Sequence, residues 1–150
     1  MKKHAPVVPL ELAFALEAYA GNGGGDITVR YYCAALCLML FAALRFCDTL
    51  EIKAFWTTKS AVCGVSIGQK SKGRSLMTWG APKKGFKSKG AWLNPLIAYW
   101  EKYKPADGAF RHLFLKTDKN WRVMEQMAAG NNIQSVIAKL EAKFGFPKSI

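Results

Sequence analysis

The residues of this chain best suited to chemistry are Arg45 and Asp48, which follow a long apolar segment. Residues 31–44 carry no charged side chain, and the arginine comes directly after them. A spacing of three places two side chains on one face of a helix, so Asp48 is expected to hold the Arg45 guanidinium. A fixed guanidinium binds a phosphate or carboxylate through two parallel hydrogen bonds. The pair therefore predicts an anion-binding group near a helix end.

A simpler interpretation of Arg45 stays open beside this one. An arginine at a helix end commonly pairs with a nearby acid, here Asp48 or Glu51, and interacts favourably with the last carbonyls of the helix. On that interpretation the side chain is structural and binds no ligand.

Positive charge is concentrated in the middle of the chain. There are 22 Lys and Arg against 10 Asp and Glu, a net charge of +12, and between residues 53 and 104 the only acid is Glu101. A surplus of this kind favours nucleic acid as a partner, ahead of an anionic membrane surface. The alternative is an ordinary lysine-rich surface. The side chains expected to contact phosphates are Lys70, Arg74, Lys83, Lys84, Lys87 and Lys89.

The order of elements predicts an α+β fold, mainly helical with a small antiparallel three-stranded sheet. Helices are expected at residues 9–20, from a cap at Asp26 or Thr28 to Cys47, and at residues 92–103, 121–129 and 133–144. Strands are expected at residues 50–56, 61–67 and 75–79, with a basic turn at residues 69–74 between the last two. Residues 80–90 should form a lysine- and glycine-rich loop.

Several classes of protein are disfavoured by composition. The four cysteines match no zinc-ligand spacing and are expected to be small buried hydrophobes in a reducing compartment. The uncharged run at residues 31–44 is short for a membrane span, and Lys2 and Lys3 precede no signal-peptide core. We expect an intracellular protein, cytoplasmic or nuclear, with neither metal nor cofactor. The five tryptophans are expected to anchor the core: Trp56, Trp79, Trp92, Trp100 and Trp121.

Residues 43–50, Ala-Leu-Arg-Phe-Cys-Asp-Thr-Leu, resemble the "TGLRISEL" segment of the tyrosine recombinase (phage integrase) catalytic domain, with Asp48 in place of the usual glutamate. The resemblance maps the first arginine of the family onto Arg45. The family's hairpin lysine maps onto Lys72, because Ser71-Lys72-Gly73 is similar to its Ser-Lys-Thr-Gly turn, with Lys70 as the second choice. A lysine in this turn also has the simpler interpretation of a solvated side chain.

The resemblance implies DNA as the partner, bound through its phosphates, and is compatible with a homo-oligomer on DNA. Members of the family attack a DNA phosphate with a tyrosine, while two arginines, a histidine and the hairpin lysine stabilise charge and move protons. This chain contains no His-x-x-Arg sequence, and none of its tyrosines is suitably placed. We therefore expect a flexible arm at residues 1–8 and a partial recombinase catalytic domain at residues 9–150, incomplete or degenerate. The alternative is a non-catalytic nucleic-acid-binding module that uses a basic face.

Overall fold

The computed structural model describes residues 9–49, 51–68, 75–102, 115–117, 123–127 and 130–146. Within this part of the chain the expected α+β class is confirmed, with four α-helices and a three-stranded antiparallel sheet. The helices are α1 (Leu10–Gly21), α2 (Ile27–Phe41), α3 (Asn94–Lys102) and α4 (Gly130–Lys143). The sheet contains β1 (Ile52–Thr57), β2 (Ala61–Gly68) and β3 (Ser75–Pro82), and a separate antiparallel pair contains β4 (Leu115–Thr117) and β5 (Val123–Met127). Short 3-10 helices cover Phe46–Thr49 and Ala91–Leu93.

Helix α2 is the centre of the core, as its uncharged sequence predicts. Eight consecutive residues, 31–38, are buried. Asp26 begins the helix, because its carboxylate accepts hydrogen bonds from the backbone N–H groups of Thr28 and Val29 at 3.0 and 3.1 Å. Arg30 donates from Nε to the Ala20 carbonyl at 3.1 Å and so ties α2 to the end of α1. None of the helices described here has the length and apolar character needed to cross a membrane.

The three-stranded sheet packs one face against the helices. Phe55, Gly64 and Trp79 lie in one cross-strand row on that face. The Trp79 indole donates to the Ser66 hydroxyl at 2.7 Å, which satisfies two buried polar groups. Trp79, Trp92 and Trp100 are buried, so their prediction as core anchors is confirmed, but Trp56 is 42% exposed and that prediction is wrong. Trp121 lies outside the described residues.

Three expected elements need correction. Helix α2 ends at Phe41 instead of Cys47, and the helix expected at residues 121–129 is wrong because Val123–Met127 is strand β5. Gly130-Asn131-Asn132, expected to separate two helices, forms the first turn of α4. The arm at residues 1–8 and the turn at residues 69–74 lie outside the described part of the chain.

Candidate nucleic-acid interface

Arg45 is positioned by the way in which α2 ends. The Leu44 N–H donates to the Met39 carbonyl at 2.9 Å, and the Ala43 N–H donates to the Leu40 carbonyl at 3.4 Å. This is the Schellman pattern, which requires a left-handed residue between the helix and the chain that leaves it. Ala43 supplies it with φ 55°, a conformation that glycine adopts at lower cost. Leu44 is then buried, and the chain turns outward at Arg45.

Asp48 fixes both the backbone and the side chain of Arg45. One carboxylate oxygen accepts from the Arg45 backbone N–H at 2.9 Å and from its Nε at 3.3 Å, and the other accepts from Nη2 at 3.4 Å. The backbone bond is one half of a capping box for the 3-10 helix that follows. The predicted pairing with Asp48 is therefore confirmed, although the two residues lie on a 3-10 turn beyond α2. Asp48 is 4% exposed at its side chain and Arg45 51%, so the guanidinium is held from beneath and remains accessible.

Arg45 and the 3-10 helix Phe46–Thr49 precede β1, whose first residues lie at the end of the sheet where β2 ends and β3 begins. The Ile67 N–H donates to the Glu51 carbonyl at 3.0 Å, which fixes the start of β1 beside the end of β2. Gly68 and Ser75, the last pair of the β2–β3 ladder, lie at this same end. Lys70, Lys72 and Arg74 lie between that pair in sequence and outside the described residues.

The other candidate lysines lie at the opposite end of the sheet. Pro82 pairs with Ala61 there, and the Lys83 N–H donates to the Ser60 carbonyl at 3.0 Å. Strand β2 has eight residues, so its two ends are about 23 Å apart at a rise of about 3.3 Å per residue. We call residues 83–90 the lysine loop; it carries Lys83, Lys84, Lys87 and Lys89. Among the described residues, the lysine loop thus lies at the end of the sheet opposite the start of β1.

A buried carboxylate that the sequence analysis did not single out holds the lysine loop. Glu17 of α1 is 1% exposed and accepts backbone hydrogen bonds from Phe86, Lys87 and Ser88 at 2.8–3.2 Å. The Ser88 hydroxyl adds a bond of 2.6 Å. The signal for it in the sequence is an acid among the buried apolar residues of α1, where an ionised group requires several donors.

The ionised form of Glu17 is the stable one. Burial raises its pKa, but the hydrogen bonds from the Ser88 side chain and from the backbone N–H groups of Ser88, Lys87 and Phe86 together outweigh burial and lower the pKa below its ordinary value. Ring contacts reinforce the attachment, since Phe86 packs edge-on against Phe14 and Phe41. The loop is a firmly attached part of the fold.

Two buried cysteines of α2, Cys33 and Cys37, are poor nucleophiles and ligands. Burial raises the pKa of Cys33 to about 12 and raises that of Cys37 well above its ordinary value, so both thiols are protonated at neutral pH. The prediction of buried hydrophobes is confirmed for Cys33 and Cys37, whereas Cys63 is half-buried and the Cys47 side chain lies outside the described part of the structure. Among the described residues, no three His, Cys, Asp or Glu side chains are close enough to hold a metal ion.

Comparison of the chain with models of known protein families, with curated proteins and with solved structures gives no match.

Proposed function

We propose that this protein binds DNA through the phosphate backbone and that it is similar to the tyrosine recombinases, with Arg45 and Lys72 as the parts of a recombinase site that it contains. The observation that carries the proposal is the half-exposed Arg45 guanidinium, held along its Nε–Nη2 edge by the buried Asp48 carboxylate. Such an arrangement keeps two donors in a fixed plane, which suits a phosphate better than a flexible lysine does.

Two further observations support the proposal. The recombinase-like segment has its glycine where this chain has Ala43, and Ala43 adopts the left-handed conformation that favours glycine. In addition, the start of β1 lies beside the strand ends that lead to Lys72. A phosphate-binding site that uses both Arg45 and Lys72 would therefore lie at this end of the sheet.

The proposed activity is binding without strand exchange by this chain alone. The chain holds neither a His-x-x-Arg sequence nor a nominated tyrosine nucleophile, and Tyr31, Tyr32 and Tyr99 are buried. Each electrostatic contact to a reacting phosphate contributes on the order of 3–4 kcal/mol to lowering the barrier. Arg45 and Lys72 without a nucleophile cannot form the covalent intermediate.

A second candidate is a non-catalytic nucleic-acid-binding module with no recombinase ancestry. The observation that favours it is the attachment of the lysine loop to Glu17 at the sheet end remote from Arg45. On this account Arg45 is a structural ion pair with Asp48, and the lysines alone bind phosphates.

The test combines binding with covalent trapping. The protein is incubated with a nicked suicide duplex, and both the retained complex and any denaturant-resistant adduct are measured. We expect a complex and no adduct. A covalent protein–DNA adduct would contradict the absence of a nucleophile, and the absence of any complex would contradict DNA binding.

Substitution of Arg45 separates the two candidates. We expect Arg45→Ala and Lys72→Ala each to weaken duplex binding about threefold to fivefold, because several lysines share the backbone contacts. Lys143→Ala, on α4, is the matched loss of one charge and should change affinity less than twofold. An Arg45→Ala protein indistinguishable from this control would favour the module without recombinase ancestry, whereas complete loss of binding would show that the contact is concentrated at Arg45.

A further inference from the structure

The lysine loop and the neighbouring β1–β2 turn form a basic surface of their own. We propose that Lys59, Lys84 and Lys89 make a second phosphate-contact surface at the sheet end opposite Arg45, and that the buried Glu17 is the positioning residue that holds it. The inference rests on the proposed function for its ligand, the backbone of a nucleic acid duplex. It adds that some lysines of the loop attach it to the protein while others contact phosphates, and that Glu17 positions the loop.

The four loop lysines are not equivalent. Lys83 donates from Nζ to the Thr58 carbonyl at 3.4 Å, and the Lys87 ammonium lies 4.4 Å from the centre of the Phe14 ring. Both side chains therefore help to attach the loop to the protein. Lys84, Lys87 and Lys89 are all exposed. Because the Lys87 ammonium lies over the Phe14 ring, Lys84 and Lys89 are the loop lysines best presented for a partner.

The β1–β2 turn adds a further lysine to this surface. The Lys83 N–H and side chain reach the carbonyls of Ser60 and Thr58, which flank the exposed Lys59. The turn itself is fixed, since the Thr58 hydroxyl accepts from the Ala61 N–H at 3.0 Å. Lys59 is thereby brought beside the beginning of the lysine loop, although Lys59 and Lys83 are 24 positions apart in sequence.

Lys89 occupies a backbone conformation that is unfavourable for a lysine. Its φ is 55°, in the left-handed region, and Gly90 next to it has φ 98°. Gly85 in the same loop also has a positive φ, 65°, which a glycine adopts readily because it has no side chain. A lysine with this φ has a local conformational cost that glycine would not have. Residues with such strained backbones cluster at ligand-binding segments. The charge of Lys89 is the property that glycine would not supply.

The contacts of Glu17 decide which kind of anion fits. In loops that cradle a single phosphate, successive backbone N–H groups point at the ligand. Here the N–H groups of Phe86, Lys87 and Ser88 already donate to Glu17. These three N–H groups are therefore not available to a ligand, and the exposed lysine ammonium groups suit the backbone of an extended polyanion better than an enclosed nucleotide.

The test measures binding to a fluorescent 20-base-pair duplex at several salt concentrations. The variant Lys84→Gln/Lys89→Gly removes the two exposed loop lysines, and Lys139→Gln/Lys143→Gln on α4 removes the same charge elsewhere. We expect the loop variant to bind on the order of tenfold more weakly, with a log–log salt slope smaller in magnitude by about 1.8. Because Lys89→Gly removes the backbone strain at residue 89, the melting temperature of the loop variant should be equal to or above that of the wild type.

The control outcomes separate this inference from the proposed function. If the loop variant and the α4 variant weaken duplex binding equally, the inference of a second phosphate-contact surface is overturned, whereas the proposed DNA binding is not. A wild-type protein that does not bind the duplex would overturn the proposed function and this inference with it.

The role of Glu17 is tested by Glu17→Gln, which raises the net positive charge by one. Net charge alone predicts tighter duplex binding, whereas loss of the loop geometry predicts binding about threefold weaker with a reduced salt slope. If Glu17→Gln does not fold, Ser88→Ala removes the hydroxyl bond to Glu17 without changing any charge and should weaken binding in the same direction. Binding at or above wild-type strength by a folded variant would overturn the positioning role.

Discussion

Ala43 determines how the chain leaves helix α2 toward Arg45, and it does so in a conformation that costs an alanine about 1 kcal/mol. We expect Ala43→Gly to raise the free energy of unfolding by about 1 kcal/mol and the melting temperature by about 2–4 °C. Ala42→Gly is the control, because Ala42 has φ −94° and gains nothing from glycine. Calorimetry that finds the two variants equally stable would contradict the left-handed helix end.

Glu17 couples the stability of the fold to pH. Its pKa is lowered in the folded protein, so its stabilising effect is fully present above the ordinary value of 4.5 and is lost as pH falls through the folded-state pKa. We expect Glu17→Gln to lower the free energy of unfolding by about 2–3 kcal/mol near pH 7. The difference between variant and wild type should shrink below about pH 4.5. Denaturant titrations at both pH values measure it, and a difference independent of pH would contradict an ionised Glu17.

Individual residues were predictable where their role is local. The pairing of Asp48 with Arg45 follows from sequence spacing and is present. The sequence offered Asp26 or Thr28 as the cap of α2, and Asp26 is the residue that caps it. Glu17 was not predictable, because its donors lie about 70 residues away in the lysine loop. Only the tertiary structure explains why an acid belongs on the buried side of α1.

At the scale of elements, the close contact between Gly64 of β2 and Trp79 of β3 fixes the packing of the sheet. A Cβ atom on Gly64 would overlap the Trp79 indole, whereas one on Gly80 would come no closer than 3.6 Å to the Val62 carbonyl oxygen. We expect Gly64→Ala to cost about 1–3 kcal/mol and Gly80→Ala less than about 0.5 kcal/mol. Equal thermal stability of the two variants would show that the indole does not lie across Gly64.

The elements with a regular local pattern were predicted correctly, and the errors have physical reasons. The three strands of the sheet follow from alternating or continuous apolar runs bounded by turns. The end of α2 was missed because the left-handed position holds Ala43 instead of the usual glycine. Residues 123–127 contain the helix formers Met, Glu and Gln, but pairing with Leu115–Thr117 makes them a strand.

At the scale of the whole molecule, Arg45 and the lysine loop are associated with opposite ends of a sheet, and these ends are about 23 Å apart. Arg45 and the start of β1 lie at one end, and Lys59 and the lysine loop lie at the other. A duplex that contacts both ends meets several phosphates at once. Affinity should therefore depend on the sum of many weak contacts, none of which is sufficient alone.

The salt dependence of duplex binding tests the central claim most directly. If about six basic side chains contact phosphates, the logarithm of the association constant should fall against the logarithm of salt concentration with a slope of about −5. Fluorescence anisotropy with a labelled duplex measures this slope at salt concentrations from about 50 to about 200 mM. A slope of about −5 is the predicted result. Absence of binding at the lowest salt, or an affinity that does not change with salt, would contradict the account.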